Sequence, residues 1–421
     1  MNRRAMWLLA LLAFAVSTLW IEARWAWSAF QLGMIALAMW RLTEPRPFVP
    51  SYAMALLAVA AAWPWLQLAL GTTLSRGETW CAALDWITFL LVFAMSQEIL
   101  EPAIRRRFLS GLSVSGLVLA AVATLQKYSS AGKVFWLFPS GYSADVLGPF
   151  VNHNQYAAWA ELLIPVSIYL AVTDARRRPL HGAAAAALFA SVVASASRAG
   201  FVLGAAEVLA VITALAARRA APRRAMALAL AQFLILVAAA CAVAGWQGLA
   251  ERMGAKRSEA LRVDALRASV QMLQDRPWTG TGVGTWALIY PQYSSFDGGV
   301  RVNQAHNDWA QWAAEGGVPL VLTLAIFACL LWKSAIQSIY GMGTVAFLLH
   351  SLVDYPMQQR PGLSAWFFAM AGVTMAWNAT LTRQGDGLFR RTRGRTVRFS
   401  GGDPARLQTS GTSAASGPVH R

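Results

Sequence analysis

The sequence is divided into apolar runs of about 20 residues, and most of its charged side chains lie at the ends of those runs. A helical run of this length matches the hydrocarbon thickness of a bilayer. Composition agrees, because 57% of the 421 residues are hydrophobic and only 13% are charged, whereas soluble domains carry about 25% charged residues. The sequence therefore predicts an all-α, polytopic membrane bundle, and it excludes a soluble enzyme or a nucleic-acid-binding domain.

Twelve runs are long enough to be candidate transmembrane helices. They occupy residues 5–21, 25–41, 51–70, 79–97, 108–125, 156–173, 183–197, 201–217, 226–246, 318–333, 336–353 and 362–380. The first run has the basic start of a signal peptide but lacks a small-x-small cleavage site before Glu22, so we interpret it as a span. Residues 1–380 are predicted to form one transmembrane domain. Residues 381–421 are predicted to be a disordered, basic cytoplasmic tail that contacts anionic lipid.

Basic residues in the short connections set the predicted orientation. With the N-terminus inside, every second connection is cytoplasmic and carries arginine or lysine, as the positive-inside rule requires. The remaining connections then face the exterior, and they are 22–24, 71–78, 126–155, 198–200, 247–317 and 354–361. A helical segment outside the membrane is predicted between spans 9 and 10. The sequence that begins at Arg262 predicts an amphipathic helix there.

Several cationic and imidazole side chains lie on this predicted exterior side, where the positive-inside rule disfavours them. They are Arg198, Arg262, Arg267, Arg276, Arg301, His306 and Arg360. Arg198 stands out because it lies between two apolar runs with almost no loop, where a guanidinium is costly unless it meets an anion. It either binds an anionic ligand or pairs with a carboxylate such as Glu207 or Glu161.

Three acidic residues lie about two turns inside the predicted outer ends of their helices. Asp85, Glu161 and Glu207 could line one crevice open to the exterior, or they could hold the bundle together. We expect a structural role for two of the three.

The glycine-rich sequence of residues 280–284 resembles a nucleotide-binding loop only superficially. Its spacing is G-x-G-x-G, and no βαβ unit surrounds it. Close backbone packing or approach to a lipid headgroup explains these glycines better. The three cysteines, Cys81, Cys241 and Cys329, lie in apolar runs and indicate neither disulfides nor a metal site.

Arginine and histidine together indicate one kind of chemistry. Guanidinium groups of Arg198 and Arg262 suit a diphosphate, because they present fixed, forked donors. An imidazole such as His306 can take a proton from an attacking hydroxyl, although a lone histidine is more often structural. This combination is typical of glycosyl transfer from a lipid-diphosphate sugar. Trp278, Trp286, Trp309 and Trp312 could stack on sugar rings or anchor the chain at the interface.

Several short segments of the sequence form a recognisable set. They are 148–157 (GPFVNHNQYA), 197–200 (SRAG), Arg262 with 275–284 (DRPWTGTGVG), and 305–309 (AHNDW) with 315–316 (EG). In these segments, and in their order and spacing, the sequence resembles the O-antigen ligase and polymerase-like family of membrane proteins. The resemblance implies an inverting glycosyltransferase of the GT-C type that needs no metal or other cofactor. It also implies an undecaprenyl-diphosphate-linked glycan as donor, a lipid A–core acceptor, and an active site on the periplasmic face of the bacterial inner membrane.

Residue roles are carried over from the family by position. Arg198 and Arg262 resemble the diphosphate-binding arginines, and His306 resembles the base. Asn152 and Asn154, together with Asn307 and Asp308, would shape the same crevice.

Ligases, repeat-unit polymerases and protein-glycosylating enzymes share these motifs. The SRAG and HND segments favour a ligase, with a polymerase as the alternative. A lipid-linked-glycan transporter or a non-catalytic scaffold of a polysaccharide assembly are rival hypotheses from other classes. The absence of visible internal repeats weakens the transporter hypothesis.

Overall fold

The structure, a computed structural model, describes residues 2–45, 48, 50–141, 146–220, 222–244, 250–251, 260–296, 299, 301–358 and 360–376. This part of the chain contains 14 helices and one short β-hairpin. The helices are α1 (Arg3–Ser17), α2 (Arg24–Leu42), α3 (Tyr52–Leu70), α4 (Arg76–Gln97), α5 (Pro102–Ser129), α6 (His153–Thr173), α7 (Arg178–Ser195), α8 (Arg198–Ala217), α9 (Arg223–Ala244), α10 (Ala260–Asp275), α11 (Trp286–Ile289), α12 (Asp308–Ser338), α13 (Met342–His350) and α14 (Pro361–Ala376). Strands β1 (Lys133–Val134) and β2 (Phe138–Pro139) pair antiparallel.

The all-α membrane fold is confirmed. Each of the twelve predicted runs contains a helix. Among the described residues, six helices are long and apolar enough to cross a bilayer, and they are α3, α4, α5, α6, α8 and α12. The protein is therefore a multi-pass membrane protein, whereas the number of twelve spans stays a prediction. The tail predicted at 381–421 lies outside the described residues.

The eleventh predicted run, 336–353, does not form one spanning helix. Helix α12 continues to Ser338, and α13 begins only at Met342. Ile339 has a left-handed backbone with φ of 65°, which interrupts the helical hydrogen bonding between the two helices. Helix α13 has nine residues, about 14 Å at 1.5 Å per residue, which is too short to cross the hydrocarbon layer.

Helix α6 lies at the centre of the bundle. Within its most apolar stretch 89% of the residues are buried. Small residues let neighbouring helices approach it closely, because a Cβ on Gly343 of α13 would lie 2.3 Å from the carbonyl oxygen of Glu161, and one on Gly200 of α8 would lie 2.4 Å from Ala157. The N-terminal half of α6 therefore packs closely against the starts of α8 and α13.

Residues of the 260–293 segment, with Ala305 and Ala314, form a second, smaller apolar core. The amphipathic helix predicted near Arg262 is confirmed as α10, and its Ala265, Ala268 and Met272 pack on Trp286. The glycine-rich loop packs backbone to backbone against α12. A Cβ on Gly280 would lie 2.2 Å from the carbonyl oxygen of Glu315. The close-packing explanation for these glycines is therefore confirmed.

Candidate active site

Two of the motifs form the N-terminal caps of α6 and α8. The side-chain oxygen of Asn152 accepts a hydrogen bond from the backbone N–H of Asn154 at 2.8 Å. The hydroxyl oxygen of Ser197 accepts one from the backbone N–H of Gly200 at 3.2 Å. Both caps have extended backbones, and Asn and Ser are favoured in this position because they satisfy N–H groups that lack a helical partner. The caps place Asn154 and Arg198 at the starts of the two helices.

Asn154 joins these two helix ends to a third segment. Its side-chain oxygen accepts a hydrogen bond from the Ser197 hydroxyl at 2.8 Å. Its amide nitrogen donates a short hydrogen bond to Oδ2 of Asp354, in the connection that follows α13. The asparagine motif, the SRAG motif and the 354–361 connection therefore meet at one end of the bundle.

His306 completes this network. Its Nδ1 lies 3.7 Å from Oδ1 of Asp354, and its ring lies edge-on to Tyr355 with ring centroids 4.6 Å apart. Asn152 donates a hydrogen bond to the Tyr355 hydroxyl at 3.2 Å. His306 itself has a left-handed backbone with φ of 53°, which is uncommon for residues other than glycine. The imidazole is partly exposed, whereas Asp354 is buried.

The environment of Asp354 favours its ionised form. Burial alone would raise the pKa of Asp354, but contact with His306 and the electrostatic effects of His350 and Arg262 hold that pKa below its ordinary value. A carboxylate in this state can stabilise the imidazolium that forms when the His306 ring takes up a proton.

The two predicted anion-binding arginines have no carboxylate partner in the part of the chain that the structure describes. Glu161, one suggested partner of Arg198, instead accepts a hydrogen bond at 2.8 Å from Nδ1 of His350. Both carboxylate oxygens of Glu207, the other suggested partner, are buried without a hydrogen bond. The hypothesis that Arg198 pairs with either carboxylate is therefore wrong. Arg262 is half-buried on α10, within electrostatic range of Asp354.

Asn307 and Asp308 hold the connection that carries Asp354. Asn307 caps α12 by accepting from the Ala310 N–H at 3.0 Å, and it donates to the carbonyl of Leu352 at 2.8 Å. Oδ2 of Asp308 accepts from the Met357 N–H at 3.1 Å. These two residues therefore fix the 352–357 backbone beside His306, which is how the HND motif acts on the site.

Of the two alternatives for Asp85, Glu161 and Glu207, the one in which all three line a single crevice is wrong. Asp85 lines a cavity of about 500 Å³ between the end of α1 and helices α2, α4 and α14, and it accepts hydrogen bonds from Trp27 and Gln31. Glu161 and Glu207 do not line this cavity, because they lie inside the bundle around α6. Asp85 and Glu161 have hydrogen-bond partners, as expected for structural groups. No described group of three or more His, Cys, Asp or Glu side chains is arranged to hold a metal ion.

The tryptophans separate into different roles. Trp286 is buried, stacks on Tyr290 and donates a hydrogen bond to Ser269 at 2.9 Å, so its proposed role as a sugar platform is wrong. Trp312 lines the cavity, and Trp278 is 70% exposed. Trp309 donates to the Ser351 hydroxyl at 2.9 Å.

Asp354 and Tyr355 are the site residues that sequence reasoning missed. Asp354 is the only acidic residue in the connection 354–361. Its place in a connection on the side where the sequence predicts a surplus of cations was a usable signal.

Residues 183–325 match the family model described as O-antigen ligase. The resemblance to the O-antigen ligase family is confirmed over this segment. The matched segment contains Arg198, Arg262 and His306, while Asn154 and Asp354 lie on either side of it and are brought to it by the fold. No curated protein matches the chain.

Proposed function

We propose that the protein is an O-antigen ligase of the bacterial inner membrane. It would transfer a polysaccharide from undecaprenyl diphosphate to the lipid A–core acceptor at the periplasmic face. The observation that carries this proposal is the His306–Asp354–Asn154–Ser197 chain of contacts. It joins three separate motifs around one partly exposed imidazole, beside two arginines that lack carboxylate partners among the described residues.

His306 serves as the general base. Asp354 faces Nδ1, so the opposite ring nitrogen, Nε2, is the one available to an acceptor hydroxyl. The hydroxyl proton moves to Nε2 while the hydroxyl oxygen forms a bond to the anomeric carbon of the donor sugar. The ionised Asp354 stabilises the resulting imidazolium, which a neutral partner would do less well.

Arg198 and Arg262 hold the leaving group. As the anomeric carbon–oxygen bond breaks, the bonding electron pair passes to the diphosphate, and its added charge is stabilised by the two guanidinium groups. Arg198 is also the first residue of α8, and a helix N-terminus attracts anions through its unpaired N–H groups. Attack and departure on opposite faces of the sugar invert the anomeric configuration. No step in this scheme requires a metal ion.

The test is the lipopolysaccharide ladder of a deletion strain complemented with wild-type protein or with His306→Ala. A ligase predicts bare lipid A–core and accumulated lipid-linked polysaccharide in the deletion strain and in the variant, and a full ladder with the wild type. Arg267→Ala is the control, because Arg267 is exposed on the same helix as Arg262.

Other ladders would contradict the proposal. Core capped with a single repeat unit would identify a polymerase. Loss of surface polysaccharide with unchanged glycan linkages in membrane extracts would identify a transporter. Full activity of His306→Ala would show that the imidazole is not the base.

A further inference from the structure

The β1–β2 hairpin presents three consecutive apolar side chains at its tip. Trp136, Leu137 and Phe138 are 39%, 72% and 43% exposed. The hairpin lies in the connection that follows α5 and leads to the asparagine motif at 148–157. A run of exposed apolar residues in a connection is costly in water, so it indicates a surface that contacts an apolar partner.

The backbone of the turn is strained, and the strained residues carry large rings. The N–H of Leu137 donates to the carbonyl of Val134 at 3.1 Å. The two residues between them, Phe135 and Trp136, have left-handed backbones with φ of 49° and 61°. Asn and Gly usually fill such positions in a hairpin turn, because larger side chains are disfavoured there. Retention of two aromatic residues at this cost indicates that the tip has a role.

Helix α5 shows what surrounds the base of the hairpin. This helix is long and apolar enough to cross a bilayer. Its exposed residues Val118, Leu125 and Tyr128 lie on one face, because they are seven and three residues apart. An exposed, largely apolar face of a spanning helix contacts lipid. This face continues to the last turn of α5, so lipid reaches the point where the hairpin begins.

Trp136 joins the hairpin to the same face of α5. Its Nε1 donates to the Ser129 hydroxyl oxygen at 2.8 Å, and that hydroxyl donates to the carbonyl oxygen of Leu125 at 2.7 Å. Ser129 lies four residues beyond Leu125, the last residue of the apolar run, or about 6 Å further along the helix axis. The indole therefore lies at the depth of the lipid headgroups, where tryptophan is enriched because its ring is apolar and its N–H is polar.

Gln126 ties the hairpin to the asparagine motif. Its Nε2 donates to the carbonyl of Gly148 at 2.9 Å, and its Oε1 accepts from the Phe135 N–H at 2.8 Å. The Gln126 side chain is buried, so water does not compete for these two bonds. Fixing the hairpin tip at the membrane would therefore also fix the depth of the segment that leads to Asn152 and Asn154.

We propose that the tip of the β1–β2 hairpin inserts into the headgroup layer of the membrane and anchors the connection after α5 there. The partner is the phospholipid around the end of α5 that bears the hairpin. Trp136, Leu137 and Phe138 insert together, and Phe138 is held by stacking on Trp20, with ring centroids 4.6 Å apart. The inference is independent of the proposed function, because it rests only on the exposure, backbone conformation and contacts of this connection.

A spin label on residue 137 tests the depth of the tip. The three native cysteines are replaced by alanine, and Leu137→Cys is labelled with a nitroxide in the full-length protein. The protein is placed in nanodiscs of phosphatidylethanolamine and phosphatidylglycerol. Electron paramagnetic resonance then compares collisions of the label with oxygen, which concentrates in lipid, and with a water-soluble nickel complex. Leu209→Cys, exposed on the spanning helix α8, gives the value for lipid, and Gln292→Cys, exposed after α11, gives the value for water.

We expect the ratio of oxygen to nickel collisions at residue 137 to exceed the ratio at residue 292 several-fold and to approach that at residue 209. A ratio equal to that at residue 292 would place the tip in water and overturn the proposal. Infrequent collisions with both reagents would also overturn it, because the tip would then be covered by protein, either another part of this chain or a second copy.

Trp136→Ala, made in the same labelled protein, should lower the ratio at residue 137 toward the value for water. It removes the largest ring of the tip and the hydrogen bond to Ser129. Tyr52→Ala is the matched control, since Tyr52 is also an exposed aromatic residue but begins α3 on the predicted cytoplasmic side. The control should leave the ratio unchanged, and melting temperatures in detergent check that both variants are folded. An unchanged ratio in folded Trp136→Ala would overturn the joint insertion of the three side chains.

Discussion

Two histidine–carboxylate pairs lie within one turn of each other and differ in access. In the pair His306–Asp354 the closest atoms are 3.7 Å apart, and the histidine side chain is 31% exposed. In the pair His350–Glu161 they are 2.8 Å apart, and both side chains are 0% exposed. The Asp354 N–H donates to the carbonyl of His350, so the pairs share a backbone turn.

The difference in access shows what each pair can do. A base must reach the proton that it removes, which the exposed His306 can do and the buried His350 cannot. The His350–Glu161 pair instead links α13 to α6 inside the bundle. Residue chemistry alone does not separate these roles, because both pairs consist of an imidazole and a carboxylate.

The largest expected effect is that of His306→Ala on turnover. We expect the transfer rate of the purified enzyme to fall by roughly 100-fold or more, because general base catalysis typically contributes a factor of 10² to 10⁴. The melting temperature should stay close to that of the wild type, since the ring is partly exposed. Transfer at the wild-type rate across the pH range would place His306 outside the chemistry.

Glu161→Ala should have the opposite profile. Removing one partner of a buried hydrogen-bonded pair leaves His350 without its partner, and we expect a loss of about 3 kcal/mol in the free energy of unfolding. Denaturant unfolding in detergent measures this loss. His350→Ala should be destabilised by a similar amount, and the double variant by less than the sum of the two, because the second substitution removes the group that the first leaves without a partner. A stable Glu161→Ala protein that has lost transfer activity would give the buried pair a role in the reaction.

The sequence predicted the helices well because their apolar runs are long. It also singled out Arg198, Arg262, His306 and the two asparagines as candidate site residues, because they lie in short motifs. It did not identify Asp354, because only its place among the predicted exterior cations distinguishes it from any aspartate at a helix end. The 3.7 Å approach of Asp354 to His306 depends on how α6, α8 and α13 pack, and packing between distant segments is not visible in local pattern.

Arg262→Ala tests whether the cations beside the pair His306–Asp354 bind the donor. Losing a charge-assisted contact to a diphosphate should cost about 2 kcal/mol, or roughly a 30-fold rise in KM for the lipid-linked donor. Arg267→Ala, five residues along the same helix and exposed, should leave KM unchanged. Equal effects of the two substitutions would mean that α10 contributes only general positive charge.

Asp264 extends the comparison to a carboxylate with no histidine partner. Burial alone would raise the pKa of Asp264, but hydrogen bonds from Ser295, Tyr290 and Ser294 lower it to about 2. The Tyr290 hydroxyl lies 2.7 Å from Oδ2, and the Ser295 hydroxyl lies 2.5 Å from Oδ1. Because the pKa is lowered in the folded protein, the stabilisation is present above the unfolded value of roughly 4. It is lost as the pH falls toward 2.

Asp264→Asn should therefore lower the melting temperature slightly at pH 7. It should also reduce the fall in melting temperature that the wild-type protein shows between pH 5 and 3. Thermal unfolding of the two proteins in detergent, measured at matched pH values, checks this. Because Asp264 binds hydroxyl and amide groups and not an imidazole, the variant should keep the wild-type dependence of transfer rate on pH. A changed rate profile would mean that the fold of the 260–295 segment is coupled to the proton transfer at His306. The groups that control proton transfer would then include residues beyond the pair His306–Asp354. The contrast with the buried pair His350–Glu161 would then be a contrast between two regions of the molecule.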